Sequence, residues 1–266
     1  MRKVDMNKPT AGQSAGSSQH PLAVVTGASA GIGEAIAVRL AKEGFRLLLG
    51  ARREERLRAV ATRLGADWKV LDVADETSVA AFCSGVDRVE VLVNNAGGAR
   101  GMDTIAEGRS DRWRWMWEAN VLGLMQMTRG LLPALELSGH GHIVNISSTA
   151  GIEVYEGGGG YTGAKHAVHA ISQTLRLELA GRPVRITEIC PGMVETDFSL
   201  NRFEGDQGRA ATVYSGVTAL TAADVADVVA FAVTRPAHVN LDQIVMRPLQ
   251  QAAAHKVARR ASALKR

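Results

Sequence analysis

From about residue 22 onward the hydrophobic positions of this chain fall into two alternating signatures. Short continuous apolar runs bounded by glycine or polar residues mark strands buried on both faces, and longer amphipathic stretches between them mark helices packed on those strands. Seven runs read as strands: Leu22 to Thr26, Phe45 to Gly50, Trp68 to Val73, Val89 to Val93, His142 to Ser147, Val184 to Ile189 and Leu241 to Met246. Helices are predicted for Glu34 to Glu43 (closed by Gly44), Glu54 to Leu64, Ser110 to Leu137 with a break near Pro133, Tyr161 to Ala180, and Ala222 to Val233 behind a Thr221 cap. Strands alternating with helices predict an α/β fold: a Rossmann-type doubly wound parallel sheet in a single domain, residues 21–249. Residues 1–20 are polar and aperiodic, hence a flexible leader. The segment 192–218 is expected to form a small substrate lid, its stretch from Asp197 to Gly216 being polar and glycine-bearing, and 250–266 a basic tail.

Composition narrows the function classes. With 266 residues and 46% hydrophobic content the chain can bury a substantial core. Its formal charge of +4 would suit nucleic acid, but much of the excess lies between His255 and Arg266, where a solvated basic tail explains it equally. Cys83 and Cys190 form neither a metal-ligand cluster nor a disulfide framework, so no metal is expected and each reads as a small core residue. No apolar run is long enough to cross a bilayer and the start lacks a secretory apolar stretch, so a cytoplasmic enzyme without membrane or nucleic-acid partners is expected.

The chemistry-bearing residues sit where the predicted strands end. Gly27-Ala28-Ser29-Ala30-Gly31-Ile32-Gly33 joins the first strand to the first helix. Glycines there admit a pyrophosphate to the backbone, where free N–H groups and the positive helix end meet its charge. The spacing G-x-x-x-G-x-G departs from the usual dinucleotide fingerprint and argues for a variant of it. Gly27-x-Ser29-x-Gly31 also matches a hydrolase nucleophile elbow, but only one strand precedes it, with no earlier oxyanion loop. About twenty residues on, Arg52 and Arg53 stand where an NAD enzyme places a carboxylate, which favours the 2′-phosphate of NADP. Asp72 is placed to accept from an adenine amino group. In Asn94-Asn95-Ala96-Gly97 small residues let the backbone pass close to a cofactor, and the amides can tie strand ends together.

Asn120 interrupts an apolar helical run, so its amide needs a partner, with water a candidate. The row Trp113, Trp115, Trp117 reads as packing. Ser148 ends the fifth strand, and Tyr161 and Lys165 lie one helical turn apart on one face. An ammonium beside a phenol favours the phenolate, and such a side chain can exchange a proton with an alcohol or carbonyl near neutral pH. No acid–base partner is visible for His166 or His169.

Together, Thr26-Gly27-x-x-x-Gly31-x-Gly33, Asn94-Asn95-Ala96-Gly97, Ser148, Tyr161-x-x-x-Lys165 and Pro191-Gly192 resemble the classical short-chain dehydrogenase/reductase family over about residues 22–248. The resemblance implies an NADP-dependent oxidoreductase interconverting an alcohol and a carbonyl. Tyr161 would be the acid/base, Lys165 would lower its pKa and hold the nicotinamide ribose, Ser148 would orient the carbonyl oxygen, and Asn120 would anchor a proton-relaying water. It further implies cofactor contacts at Gly27, Ser29, Ala30, Gly31, Ile32, Gly33, Arg52, Arg53, Asp72 and Val73. Others follow at Asn94, Ala96, Gly97, Tyr161, Lys165, Pro191, Gly192, Val194 and Thr196, and the helices Trp113 to Leu137 and Tyr161 to Ala180 would build a homotetramer. The runs from Ala51 to Leu57, Asn201 to Asp206 and Arg235 to Asn240 resemble NADP-dependent dehydrogenases of 3-hydroxy acids such as serine and allo-threonine. On that likeness Arg202 grips a substrate carboxylate, with Ser148 and Tyr155 beside it; pairing of Arg202 with Glu204 is the alternative. Glu153 and Glu156 argue the other way, toward a neutral ketone or aldehyde, because negative charge at the pocket would repel an acid.

Overall fold

The computed structural model describes residues 20–260. Among them seven strands form one fully parallel sheet, in the order β3-β2-β1-β4-β5-β6-β7. The strands are β1 Leu22–Thr26, β2 Arg46–Ala51, β3 Asp67–Val70, β4 Val91–Asn94, β5 Gly141–Ile146, β6 Val184–Pro191 and β7 Gln243–Met246. The helices are α1 Gly31–Lys42, α2 Glu54–Leu64, α3 Glu76–Cys83, α4 Ser110–Trp117, α5 Gly123–Leu137, α6 Gly159–Glu178, α7 Phe198–Arg202, α8 Gln207–Tyr214 and α9 Ala222–Val233.

Side-chain alternation along the strands builds two cores. Val25, Leu49 and Val93 face one way, against Ile36 and Leu40 of α1, Leu57 and Val60 of α2, and Val225 and Val229 of α9. Their neighbours Val24, Leu48 and Leu92 face the other way, against Phe82 of α3, Met127 and Leu131 of α5, and Leu179 just past α6. The doubly wound parallel sheet expected from the sequence is the fold observed. Strand order reverses between β1 and β4, and the reversal leaves a crevice at the carboxyl ends of those strands, where ligands bind in open parallel sheets.

Several local expectations are corrected. The third strand stops at Val70, because Asp72 turns the chain by accepting the Ala74 N–H at 3.1 Å. The break expected near Pro133 is absent; α5 runs through that residue to Leu137. The irregularity lies upstream, in a π-helical segment Glu118–Leu122 between α4 and α5. Its cause is Asn120, whose Nδ2 donates to the Met116 carbonyl at 2.8 Å, the acceptor that α-helical pairing reserves for Asn120's own N–H. The expected lid contains two short helices, α7 and α8, and the Thr221 cap of α9 is a reciprocal capping box with Asp224.

The leader lies outside the described residues except His20, and the tail is described only to Arg260. In that described part His255, Lys256, Arg259 and Arg260 are exposed, while other groups tie the segment to the domain. Gln251 is buried, with its side-chain oxygen on the Met193 N–H at 2.9 Å. Ala254 donates its N–H to Glu153 at 2.6 Å. Arg259 donates to the Thr212, Val213 and Ser215 carbonyls, which close α8 and lack helical partners. Main-chain capture of this kind carries no hydrophobic period, which is why the pattern missed it. Truncating Glu153→Ala is expected to raise amide exchange across 250–260 by about tenfold or more, from loss of a charge-assisted hydrogen bond, while the sheet amides keep their rates. Identical exchange in the two proteins would contradict this anchoring.

Candidate active site

A cavity of about 700 Å³ opens at the crevice between β1 and β4 and extends under α7 and the C-terminal segment. Its floor is the turn Gly27 to Gly33. A side chain at Gly33 would strike the Gly27 carbonyl and the Asn95 amide, so this turn fits only without one. Ala30 precedes α1 without any side-chain cap, leaving the first N–H groups of the helix for a ligand. The crevice is stitched at its base: the Thr26 hydroxyl accepts the Asn95 and Ala96 N–H groups at 3.0 and 2.9 Å, and the Asn95 amide donates to the Thr26 carbonyl at 2.8 Å.

One end of the cavity is cationic. Arg53 donates to the Ser29 hydroxyl at 3.3 and 3.2 Å. Burial first, then the charge of Arg56, hold its guanidinium below the usual range, a strain that a bound anion relieves. Arg52 is half-exposed, 4.0 Å from Asp72, and stacks near Trp115, whose ring also carries Arg100 at 4.2 Å. An uncapped helix start, a turn without side chains and an arginine cluster fit a phosphorylated dinucleotide.

At the other end the residues of the expected catalytic set converge. Ser148, Tyr161 and Lys165 all line the cavity, as do Tyr155, Pro191, Gly192, Val194, Thr196 and Arg202. Ser148 caps the turn after β5 by accepting the Ala150 N–H at 3.1 Å, and its hydroxyl donates to the Pro191 carbonyl at 3.4 Å. Lys165 is buried beneath, donating to the Ile146 carbonyl at 2.9 Å. Burial pushes its ammonium down to about 8, against the pull of Cys190 and Glu188. Burial also pushes the Tyr161 phenol up, reinforced by Tyr155 and opposed by the Ser148 bond and the Arg202 charge. Two cations stand over the Tyr161 ring, Lys165 Nζ and the Arg202 guanidinium, each 5.8 Å from its centroid, and the Arg202 charge draws the phenol down against burial.

Arg202 does not pair with Glu204, which bonds instead to Arg112 at 2.9 Å. Its Nε donates to the Gly101 carbonyl at 2.9 Å and its Nη1 to the Tyr155 hydroxyl at 3.1 Å, which aims the guanidinium across Tyr161. Glu153 is neutralised by Arg247, and Glu156 is exposed outside the cavity lining, so the expected acidic repulsion is not built.

Two expected site residues lie off the cavity lining. Asn94 turns its amide into the sheet, donating to Thr128 and Asn145 at 3.1 and 3.0 Å, and Asn95 lines the cavity instead. Asn120 is engaged by the chain itself rather than by water alone: its Nδ2 donates to Gly98 at 2.8 Å and its Oδ1 accepts the Gly98 N–H at 3.1 Å. Trp115, Arg100, Gln251 and Arg259 also line the cavity and were missed. Arg100 directly follows the small-residue run that passes the crevice and was legible; the other three carry no local signal. His169, expected without a partner, meets Glu188 at 2.6 Å, and His166 bonds to the Thr162 carbonyl at 2.8 Å. Among the described residues no group of three or more His, Cys, Asp or Glu side chains could hold a metal, and no helix is long and apolar enough to cross a membrane.

Comparison with known proteins agrees with this geometry. The family model described as short chain dehydrogenase matches residues 21–207. An oxidoreductase of Mycobacterium tuberculosis, itself uncharacterized, is 57% identical over 237 residues, 89% of this chain and 94% of the relative. The NADP-dependent 3-hydroxy acid dehydrogenase YdfG of Escherichia coli K12 is 39% identical over 86% of this chain and 96% of its own. Among solved structures, the closed form of serine dehydrogenase complexed with NADP+ superposes with a TM-score of 0.85 at 38% identity, over 90% of this chain and 100% of that one.

Proposed function

This chain belongs to the short chain dehydrogenase family, and we propose that it is an NADP-dependent oxidoreductase interconverting a 3-hydroxy acid and its 3-oxo partner. The observation that carries the reading is the convergence of Ser148, Tyr161, Lys165 and Arg202 on one cavity whose far end is a turn without side chains beside Arg52 and Arg53. When bound, NADP supplies the hydride chemistry. Gly27, Gly31, Gly33 and the start of α1 hold its pyrophosphate, and Arg52 and Arg53 hold its 2′-phosphate.

The chain's own groups handle the proton. Burial keeps Tyr161 a protonated phenol, which suits it to donate to the oxygen of a carbonyl during reduction. In the oxidative direction Tyr161 acts as the phenolate and takes the alcohol proton as hydride leaves the carbon, and the charges of Arg202 and Lys165 stabilise that phenolate before the transfer. Ser148, which lines the cavity together with Tyr161, holds the same substrate oxygen. Arg202, aimed across Tyr161 by Tyr155 and Gly101, grips the carboxylate of the substrate, and the pairing of Glu153 with Arg247 removes the charge that would repel it. Support for the acid also comes from the relative named for 3-hydroxy acids and the neighbour named for serine. A cytoplasmic homotetramer is part of this reading; exposed Trp117, Leu122, Met125 and Leu177 on or beside α4, α5 and α6 support the assembly.

Three outcomes are expected. Replacing Tyr161→Phe should lower kcat by roughly a hundredfold or more while NADP binding persists, and turnover at the original rate excludes the acid/base role. Removing both guanidiniums, Arg52→Ala with Arg53→Ala, should weaken NADP by about a hundredfold and NAD far less in a binding titration; equal losses rule out the 2′-phosphate contact. Substituting Arg202→Leu should lower kcat/KM for a 3-hydroxy acid about a hundredfold more than for a neutral secondary alcohol, and equal losses would place the carboxylate elsewhere.

A further inference from the structure

Tyr161, Lys165 and His169 stand four residues apart in one row on α6, while Cys190 and Glu188 stand two apart on β6. Four helical residues rise about 6 Å and two strand residues about 6.6 Å, so the two rows keep step. The rung at which the two rows touch is His169 Nδ1 on Glu188 Oε2, 2.6 Å apart. One turn above, Lys165 donates to the Ile146 carbonyl at the end of the neighbouring β5 at 2.9 Å. One step lower, Asn145 donates to Ser172 at 2.9 Å.

Glu188 has a side chain 0% exposed. Its Oε2 also accepts the Gln243 amide at 2.9 Å, whereas Oε1 is buried without any hydrogen-bond partner. A buried carboxylate left short of donors requires a positive charge nearby. The groups around it are Lys165 and His169 from α6, Cys190 from β6, neutral Asn145 paired beside it on β5 with Ser147 just past that strand, and Gln243 from β7. Arg176 and Asp242 pair at the foot of α6, 4.0 Å apart. Two of these groups, Cys190 and Glu188, draw Lys165 toward its charged form. Burial pushes the Cys190 thiol up to about 12, so it stays neutral.

We propose that Glu188 is a positioning residue whose buried carboxylate, oriented by His169 and Gln243, is the counter-charge that keeps Lys165 an ammonium beneath the cavity; this rests on the reading of Lys165 as the group that assists Tyr161. Neither Glu188 nor His169 lines the cavity, whereas Lys165 does.

The chain has seven lysines, few enough to follow Lys165 by 13C NMR of lysine-labelled full-length protein, with Lys165→Met used to assign the signal. In the unaltered protein the Lys165 signal should titrate near pH 8. In Glu188→Gln the midpoint should fall by about one pH unit or more, and in Glu188→Asp it should return toward the original value. An unmoved midpoint in a folded Glu188→Gln protein overturns the proposal. Should that variant not fold, His169→Asn and His169→Leu decide, since the imidazole is partly exposed and only Asn keeps a donor for the carboxylate. The Leu variant is expected to lower the Lys165 midpoint relative to the Asn variant, and identical midpoints in the two overturn the assignment. The readout is an amine and not turnover, so its outcome is separate from that of Tyr161→Phe.

Discussion

A parallel sheet whose strand order reverses must leave two strand ends splayed, and the main-chain groups exposed there have to be satisfied without filling the gap. Thr26 is the solution in this chain. Its hydroxyl takes two N–H groups from the end of β4 and donates to the Val93 carbonyl at 3.2 Å, which fixes the width of the crevice from below. Asn95 completes the stitch from the other strand, and Asn120 holds the following loop at Gly98. Gly97 then lies so close to Asn120 that a side chain there would strike its amide. A few hydrogen bonds therefore hold open the space on which the glycine turn, the arginine pair and α6 converge.

The second constraint is desolvation. Placing Tyr161 and Lys165 on a helix packed against the sheet removes both from water, which pushes the phenol up and the ammonium down, the reverse of what an exposed Tyr–Lys pair would do. Such a site works only if compensating charge is built around it. Arg202 supplies it above the phenol, and the Glu188–His169 pair lies beneath the amine. The commensurate rise of α6 and β6 brings those groups level with the ones they act on, so the same packing that buries the pair also positions its partners.

Much of this was legible in the residues. The seven strands, the glycine turn, the Ser148, Tyr161 and Lys165 set and the Thr221 cap all rest on local signals: apolar runs, backbone permissiveness, helical spacing. What escaped depends on contacts between distant segments. Glu188 reads as one polar residue inside a strand, and its histidine is nineteen residues away on another element. Gln251 and Arg259 lie in a segment with no period, held by side chains binding main chain. Pro133 looked like a helix break because the sequence cannot reveal that the helix yields at Asn120 instead, under the pull of the Gly98 loop.

The C-terminal segment also bears on the chemistry of the pocket. Glu153, on the turn after Ser148, placed a carboxylate near the site and argued for a neutral reactant. In the fold, that carboxylate is occupied by Arg247 and by the Ala254 N–H, and so becomes the anchor of the very segment that walls the cavity. The same segment reaches across to Arg259, whose guanidinium satisfies the carbonyls at the end of α8. An acidic residue that would have opposed a carboxylate substrate is thereby converted into structure, while Arg202, freed from Glu204 by the competing Arg112, faces the space left for one. Net charge at the substrate end is decided by which ion pairs the fold completes, and here the pairs it completes leave a cation beside Tyr161.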